Sequence, residues 1–310
     1  MKNKKILIIG GSGYIGTVVT KNLLNKNIEV VNLDNHLFDN AYAISEFKSS
    51  KNYTFVQGDL LNEKDLAKAS LGITDVIILA CIVGDPLSKK YPDAAIEINE
   101  VGIKKCLKFF NKKGINKLIF ASTCSNYGLI KEDELADENH ILNPLSIYAK
   151  TKVDVENFIL DNENKFDFSP VILRFATAFG LSDRMRFDLT VNQFTHELLL
   201  GNELIVYDPD TWRPYFHTED FAEVVFQILN LKNELIDKQV FNVGDDKNNF
   251  TKRSLVNLIK KYIPDPKIKI LTEGNDRRNY KVNFSKIKSL INFKVTTIDK
   301  GIEEIIREFK

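Results

Sequence analysis

Tyr148 and Lys152 stand four residues apart in a stretch free of glycine and proline, so on a helix they share one face. A phenol ordinarily ionises near pH ~10, so it serves as a base near neutrality only beside positive charge. Lys152 would supply part of that charge. A second group of reactive side chains comes earlier, in Ala121-Ser122-Thr123-Cys124-Ser125-Asn126-Tyr127-Gly128, where small hydroxyls follow an apolar run. Open α/β sheets bind ligands at that carboxyl edge of their strands. A third signal follows the first apolar run: glycines at 10, 13 and 16 around Tyr14 and Ile15. One glycine opens a tight turn, another admits backbone N–H groups to a pyrophosphate, and the last brings helix and strand close, with phosphates at the positive helix end.

Asp34 closes the second apolar run eighteen residues beyond Gly16. A carboxylate there hydrogen-bonds the adenosine ribose diol and repels a 2′-phosphate, which favours NAD over NADP; the alternative is a plain turn residue. Asp59, in Gly58-Asp59-Leu60, could reach the adenine amine or cap a helix. The four histidines, His36, His140, His196 and His217, lack metal-ligand spacing, so neither a metal nor a histidine catalyst is expected.

These residues need a scaffold, and the first half of the chain supplies its rhythm. Lys5–Ile9, Val30–Leu33, Tyr53–Val56, Val76–Ala80 and Leu118–Ala121 read as buried strands. Thr17–Asn25, Glu63–Ala69 and Ala94–Asn111 read as the crossover helices between them. The pattern predicts an α/β fold: a doubly wound parallel Rossmann sheet with a smaller interleaved C-terminal lobe. After Pro170 a strand at Val171–Phe175 precedes a longer stretch, Arg184–Gly201, then a strand at Glu203–Tyr207 and a helix near Glu219–Leu231. The expected division puts residues 1–170, with about 203–231, in the NAD-binding part and 171–202 with 232–310 in a substrate lobe.

Composition narrows the function. With 310 residues, 43 Lys+Arg against 42 Asp+Glu and 44% hydrophobic residues, the chain reads as an ordinary globular enzyme. The absence of a basic excess argues against a nucleic-acid partner. The longest apolar run, Val76–Val83, is far below the roughly 17–25 residues of a membrane-spanning helix, so no membrane partner is expected. The opening Met1–Gly11 ends its apolar run at glycines with no small-residue cleavage site, and reads as a first strand. Three cysteines without metal spacing fit a reducing compartment, so a cytoplasmic location is expected.

Together the glycine turn, the strand-end hydroxyls and the Tyr148/Lys152 pair make the chain resemble the extended short-chain dehydrogenase/reductase family, the NAD-dependent sugar-nucleotide epimerases and dehydratases. The resemblance runs over nearly the whole length and implies Thr123, Tyr148 and Lys152 as catalytic residues. It assigns Gly10, Gly13, Tyr14, Ile15, Gly16, Asp34, Asp59, Leu60, Ala80 and Asn99, with Tyr148 and Lys152, to NAD. For a nucleotide-diphosphate sugar it implies Ser125, Asn126, Arg184, Asn192, Arg213 and Arg278, with Arg277 a further candidate beside Arg278. Arg213 begins a segment, Arg213-Pro214-Tyr215-Phe216-His217, similar to the family's diphosphate-contacting Arg-x-Tyr-x-His. Arg174 ends the sixth strand and reads as structural.

The implied reaction is oxidation at sugar C4, with Tyr148 taking the hydroxyl proton. The dehydratases of the family follow the active-site Thr with an Asp-Glu pair, whereas Cys124 and Ser125 stand here. Cys124 could transfer protons or simply fill space. The expectation is a 4-epimerase contributing to surface-polysaccharide precursors. The alternative is a C4 dehydrogenase or 4-ketoreductase that exchanges hydride with a second substrate. Residues 184–192 and 249–264 resemble the GDP-heptose C4 dehydrogenase branch, which points to that alternative. A remoter rival is a non-catalytic NAD-sensing regulator. The family also implies a homodimer through the helices carrying Ala94–Asn111 and Tyr148–Leu160.

Overall fold

β-Branched residues crowd the first apolar runs, and in the computed structural model, which describes residues 4–131, 133–161, 163, 165–272, 274, 276 and 278–310, these runs become strands of one sheet. The strands in chain order are β1 (Lys5–Ile9), β2 (Glu29–Asp34), β3 (Tyr53–Gln57), β4 (Asp75–Ile78), β5 (Lys117–Thr123), β6 (Ser169–Phe175), β7 (Thr177–Phe179), β8 (Leu204–Tyr207), β9 (Trp212–His217), β10 (Gln239–Val243), β11 (Asn249–Thr251) and β12 (Ile268–Leu271). Among the described residues seven of them form a parallel sheet in the order β10-β6-β5-β4-β1-β2-β3. Alternation of side chains divides the core in two. Ile6, Ile8, Ile77, Ile119 and Val171 pack on one face with Val19, Leu23, Val224 and Ile228 of the helices Tyr14–Asn25 and Thr218–Asn230. Leu7, Ile9, Val76, Ile78, Leu118 and Ile172 pack on the other with Leu66, Leu107, Phe110, Val155 and Ile159. Helices on both faces leave the carboxyl ends of the strands as the open edge.

A third core, with Phe179, Val191, Leu198, Val206, Tyr215, Leu255 and Ile302, sits outside this sheet. It is built on the small sheet β11-β9-β7 and the pair β12-β8. Strand pairing therefore corrects the division expected from sequence. Val171–Phe175 lies inside the central sheet beside β5, and Leu204–Tyr207 pairs with Ile268–Leu271 away from it. The last central strand, Gln239–Val243, was not anticipated.

Two boundaries also shift for physical reasons. β4 stops at Ile78 because the N–H groups of both Leu79 and Ala80 donate to the Ile9 carbonyl, at 2.9 and 2.8 Å, which ends the ladder. The helix expected over Ala94–Asn111 is interrupted: Pro92–Ile96 leads into a π-helical turn, Glu97–Gly102, before Ile103–Phe110. Such turns re-aim a side chain. Here the buried Asn99 accepts from Ile82 N–H at 2.7 Å and donates to its carbonyl at 3.0 Å, fixing the loop after β4.

Candidate active site

The turn after β1 is shaped by steric demands that only glycine meets. Gly10 has φ +90°, and a Cβ on it would lie 2.6 Å from the Ala80 nitrogen; one on Gly16 would lie 2.3 Å from the Gly10 carbonyl oxygen. The helix Tyr14–Asn25 begins at Gly13 with no side-chain cap and no acidic residue in its first turn. Its first N–H groups are thus left for an incoming anion. Asp34 ends β2 beside this turn, its carboxylate accepting from Ser12 N–H at 3.0 Å and His36 N–H at 2.9 Å.

A cavity of about 690 Å³ opens along the carboxyl edge, lined by Gly10, Gly13, Tyr14, Ile15, Gly16, Asp34, Asp59, Leu60 and Ala80 at one end. Thr123, Ser125, Tyr148, Lys152, Arg184, Arg213 and Arg278 line it elsewhere. Asp59 does not cap the following helix, which Asn62 caps; its carboxylate accepts from Leu61 N–H and the Asn35 amide, both at 2.8 Å. Arg277 lies outside the described residues.

Tyr148 and Lys152 stand on the helix Ile147–Leu160, which Ser146 caps by accepting from Ala149 N–H at 3.2 Å. The buried Lys152 ammonium donates to the Ala121 carbonyl at 2.8 Å and lies 5.8 Å from the centre of the Tyr148 ring. Burial raises the Tyr148 phenol well above its ordinary value; Cys81 pushes it further, while Arg186 and a hydrogen bond to Thr123 pull it back. Thr123 is oriented in turn by Ser125 N–H, which donates to its hydroxyl at 3.1 Å.

What fixes that helix on the sheet is a buried ion pair. Arg174 donates to Glu156, one turn beyond Lys152, at 2.6 to 3.2 Å, and both side chains are almost wholly buried. Ser122 and Asn126 also donate to the Glu156 carboxylate. Arg174 is therefore structural, as its position suggested. Asn126, expected at the substrate, belongs to this network and does not line the cavity. Two other asparagines are held by the protein in the same way. Asn192 donates to the Tyr14 hydroxyl at 2.9 Å and accepts from Gly180 N–H at 3.0 Å, and Asn99 holds Ile82; neither lines the cavity. An amide buried with backbone partners is a positioning group, and composition alone cannot separate it from a ligand contact.

Cys124 is buried, its thiol donates to the Arg174 carbonyl at 3.2 Å, and burial raises its ionisation far above the ordinary range. A thiol so held fills space. Cys124→Ser is expected to keep turnover within about threefold, since a hydroxyl can make the same hydrogen bond; a collapse of activity with an intact fold would restore the proton-transfer reading.

Arg213 and Arg278 converge at the far end around Asp276, which accepts from Arg213 at 3.0 Å and from Arg278 at 2.7 and 2.8 Å. The two guanidiniums hold that carboxylate well below the usual range despite its burial. Arg278 also pairs with Asp85 at 3.1 Å, and Arg213 stacks over the Tyr280 ring at 5.0 Å. Tyr280, close after Arg278 in sequence, lines the cavity too, and so do Asp85, Asp276, Lys252 and Arg186, which were missed from sequence. Arg186 was the nearest to being legible, two residues from Arg184, but a loop gives no period to choose between them. Arg186 is the one whose charge acts on Tyr148.

A family model described as the NAD dependent epimerase/dehydratase family matches residues 6–244. The chain belongs to that family. An uncharacterised protein of Methanocaldococcus jannaschii is 28% identical over all of this chain and 97% of its own length. A UDP-glucose 4-epimerase of Rhizobium leguminosarum bv. trifolii is 27% identical over 79% of this chain and 78% of its own. UDP-glucuronic acid 4-epimerase from Bacillus cereus, solved in complex with UDP-glucuronic acid and NAD, matches in fold with a TM-score of 0.86 at 24% identity, covering 98% of each chain.

Family membership makes the chain an enzyme with NAD as cofactor. The turn fits that group: the space a Cβ would fill at Gly10 and Gly16 is the close approach a dinucleotide requires, and the helix N-terminus faces it uncapped. Among the described residues no cluster of His, Cys, Asp or Glu could hold a metal, and no helix is long and apolar enough to cross a membrane. His217 accepts from Glu219 N–H and faces Glu304 at 3.1 Å, while His36 stacks on Phe55 at 4.7 Å.

Asp34→Ala is expected to weaken NAD binding by roughly 10- to 100-fold, the worth of hydrogen bonds to a charged group, and to narrow the preference over NADP. Calorimetric titration of both dinucleotides checks this. An unchanged preference would remove Asp34 from the ribose.

Proposed function

We propose that this enzyme is a nucleotide-sugar 4-epimerase, oxidising the sugar at C4 and reducing the 4-keto sugar on its other face. The observation that carries the reading is that Thr123, Tyr148 and Lys152 open on the same cavity as the glycine turn and the Arg213/Arg278 pair. NAD, when bound, supplies the hydride acceptor for C4 and the source of the hydride that returns. Tyr148, as phenolate, takes the proton of the C4 hydroxyl while Thr123 hydrogen-bonds the oxygen as it becomes a carbonyl. Lys152 holds positive charge beside the phenolate through that step. Arg213 and Arg278 grip the diphosphate, so the sugar can turn without leaving. Tyr148 then returns the proton to the reduced C4 oxygen.

Support for epimerisation over dehydration comes from the position after Thr123, where the buried Cys124 offers no group to eliminate water. Homodimerisation and a cytoplasmic location accompany this reading as family expectations.

The test follows the absorbance of reduced nicotinamide in NAD-loaded protein as UDP-, GDP-, CDP- and dTDP-sugars are added, with the products of the same tubes resolved. The expected result is an isomer of unchanged mass without lasting absorbance. Persistent reduced nicotinamide would replace the epimerase by a C4 dehydrogenase, and silence with every sugar would overturn nucleotide-sugar turnover.

A further inference from the structure

Arg184 was expected at the substrate, but its surroundings belong to the other end of the cavity. Its guanidinium carbon lies 5.4 Å over the ring of Phe38, on the loop that follows Asp34, and both residues line the cavity. Among the described residues no carboxylate lies within 4 Å of this half-buried guanidinium, and Asp188 and Asp34 act on it only at longer range. The segment carrying it arches from β7 towards the helix Thr190–Leu199 and is fastened at both feet. At one foot the Ser182 hydroxyl donates to the Tyr14 carbonyl at 2.7 Å, pairs with the Thr17 hydroxyl at 2.9 Å and accepts from Arg184 N–H at 3.2 Å. At the other, the Asn192 amide donates to the Arg186 carbonyl at 3.0 Å.

The first foot rests on the opening turn of the helix whose uncapped N-terminus fits a pyrophosphate, and along the segment the Arg184 charge is felt by Asp34 and the Arg186 charge by Tyr148, which sets the arch between those two ends of the cavity. A cation with no directly paired carboxylate, set over an aromatic ring beside a site for two phosphates, is complementary to that anion. Phe38 is 41% exposed and its neighbour Leu37 56%, so the apolar side of this contact stands at the cavity mouth.

We propose that Arg184 and Phe38 form a latch across the groove that closes over the pyrophosphate of bound NAD and keeps the cofactor in place through successive turnovers. This deepens the reading of the enzyme as an epimerase, which returns hydride to the same sugar and gains nothing from releasing its cofactor, and it rests on that reading.

The experiment measures exchange of bound NAD against excess radiolabelled NAD in wild type, Arg184→Ala, Phe38→Ala, Phe38→Leu and the double alanine variant, with melting midpoints to confirm folding. Each single substitution is expected to speed release about tenfold, the worth of a partly desolvated cation–π contact with its anion. The double variant should release no faster than the faster single, because the two side chains act as one unit. Release at the wild-type rate in either alanine variant, or additive effects in the double, would overturn the latch. A parallel titration of NAD-loaded protein with UDP separates the remaining assignment. The latch leaves UDP affinity unchanged in Arg184→Ala; a loss there with unaltered NAD release would return Arg184 to the substrate and overturn the proposal. Failure of the epimerase reading looks different: wild type inert toward every nucleotide sugar while NAD release still responds to both residues.

Discussion

Tyr148→Phe lowers kcat by about 10²- to 10⁴-fold, the usual share of a positioned acid–base group, with KM, NAD content and fold unchanged. The substitution keeps the buried ring; what is lost is the hydroxyl that hydrogen-bonds Thr123 and lines the cavity with Lys152. The pH dependence has a definite sign. Burial raises the phenol, so the phenolate is scarce at neutrality and the rate climbs as pH rises into the alkaline range. Lys152→Met moves that climb to still higher pH, because the cation 5.8 Å from the ring favours the ionised form. Stopped-flow measurement of nicotinamide reduction across pH checks both. Normal turnover by the phenylalanine variant, or a rate that falls with rising pH, would remove Tyr148 from the proton transfer.

Glu156→Ala is expected to cost about 3–5 kcal/mol of folding stability, the range for stripping one partner from a buried ion pair. It leaves the Arg174 guanidinium charged in a site with almost no access to water, and strands the Ser122 and Asn126 donors as well. Replacing Arg174 and Glu156 together by methionine should recover most of the loss, since the penalty is the unpaired charge and not the absence of the pair. Urea denaturation of the three proteins decides it. A loss under about 1 kcal/mol in the single variant would mean that water reaches Arg174.

The residues legible in the sequence are those whose meaning is local. The glycine turn, Asp34 at the end of β2 and the Tyr148/Lys152 pair each state their geometry within a few positions, because a strand end, a tight turn and a helix face impose fixed spacings. What the sequence concealed depends on partners far along the chain. Asn99, Asn126 and Asn192 have the chemistry of ligand contacts, and only the folded positions of Ile82, Glu156 and Tyr14 reveal that the NH2 of each donates to the protein itself. Asp276 carries no local signal for its place between two arginines. Leu204–Tyr207 is a short apolar run like those of the central sheet, and nothing in it tells that its partner is Ile268–Leu271.

The return of the chain to the central sheet at Gln239–Val243 bears on how the protein is made. β6 is buried along its whole length, and until β10 arrives one of its edges has no partner. Between them the chain leaves to build β7, β8 and β9, so closing the sheet joins segments far apart in sequence, a slow step for a folding chain. A nascent chain that stops before Gln239 already holds the glycine turn and the tyrosine helix, yet presents an apolar open edge to its neighbours. Such a fragment is a seed for aggregation, not a minimal cofactor binder, and synthesis must run past Val243 before the early strands are safe.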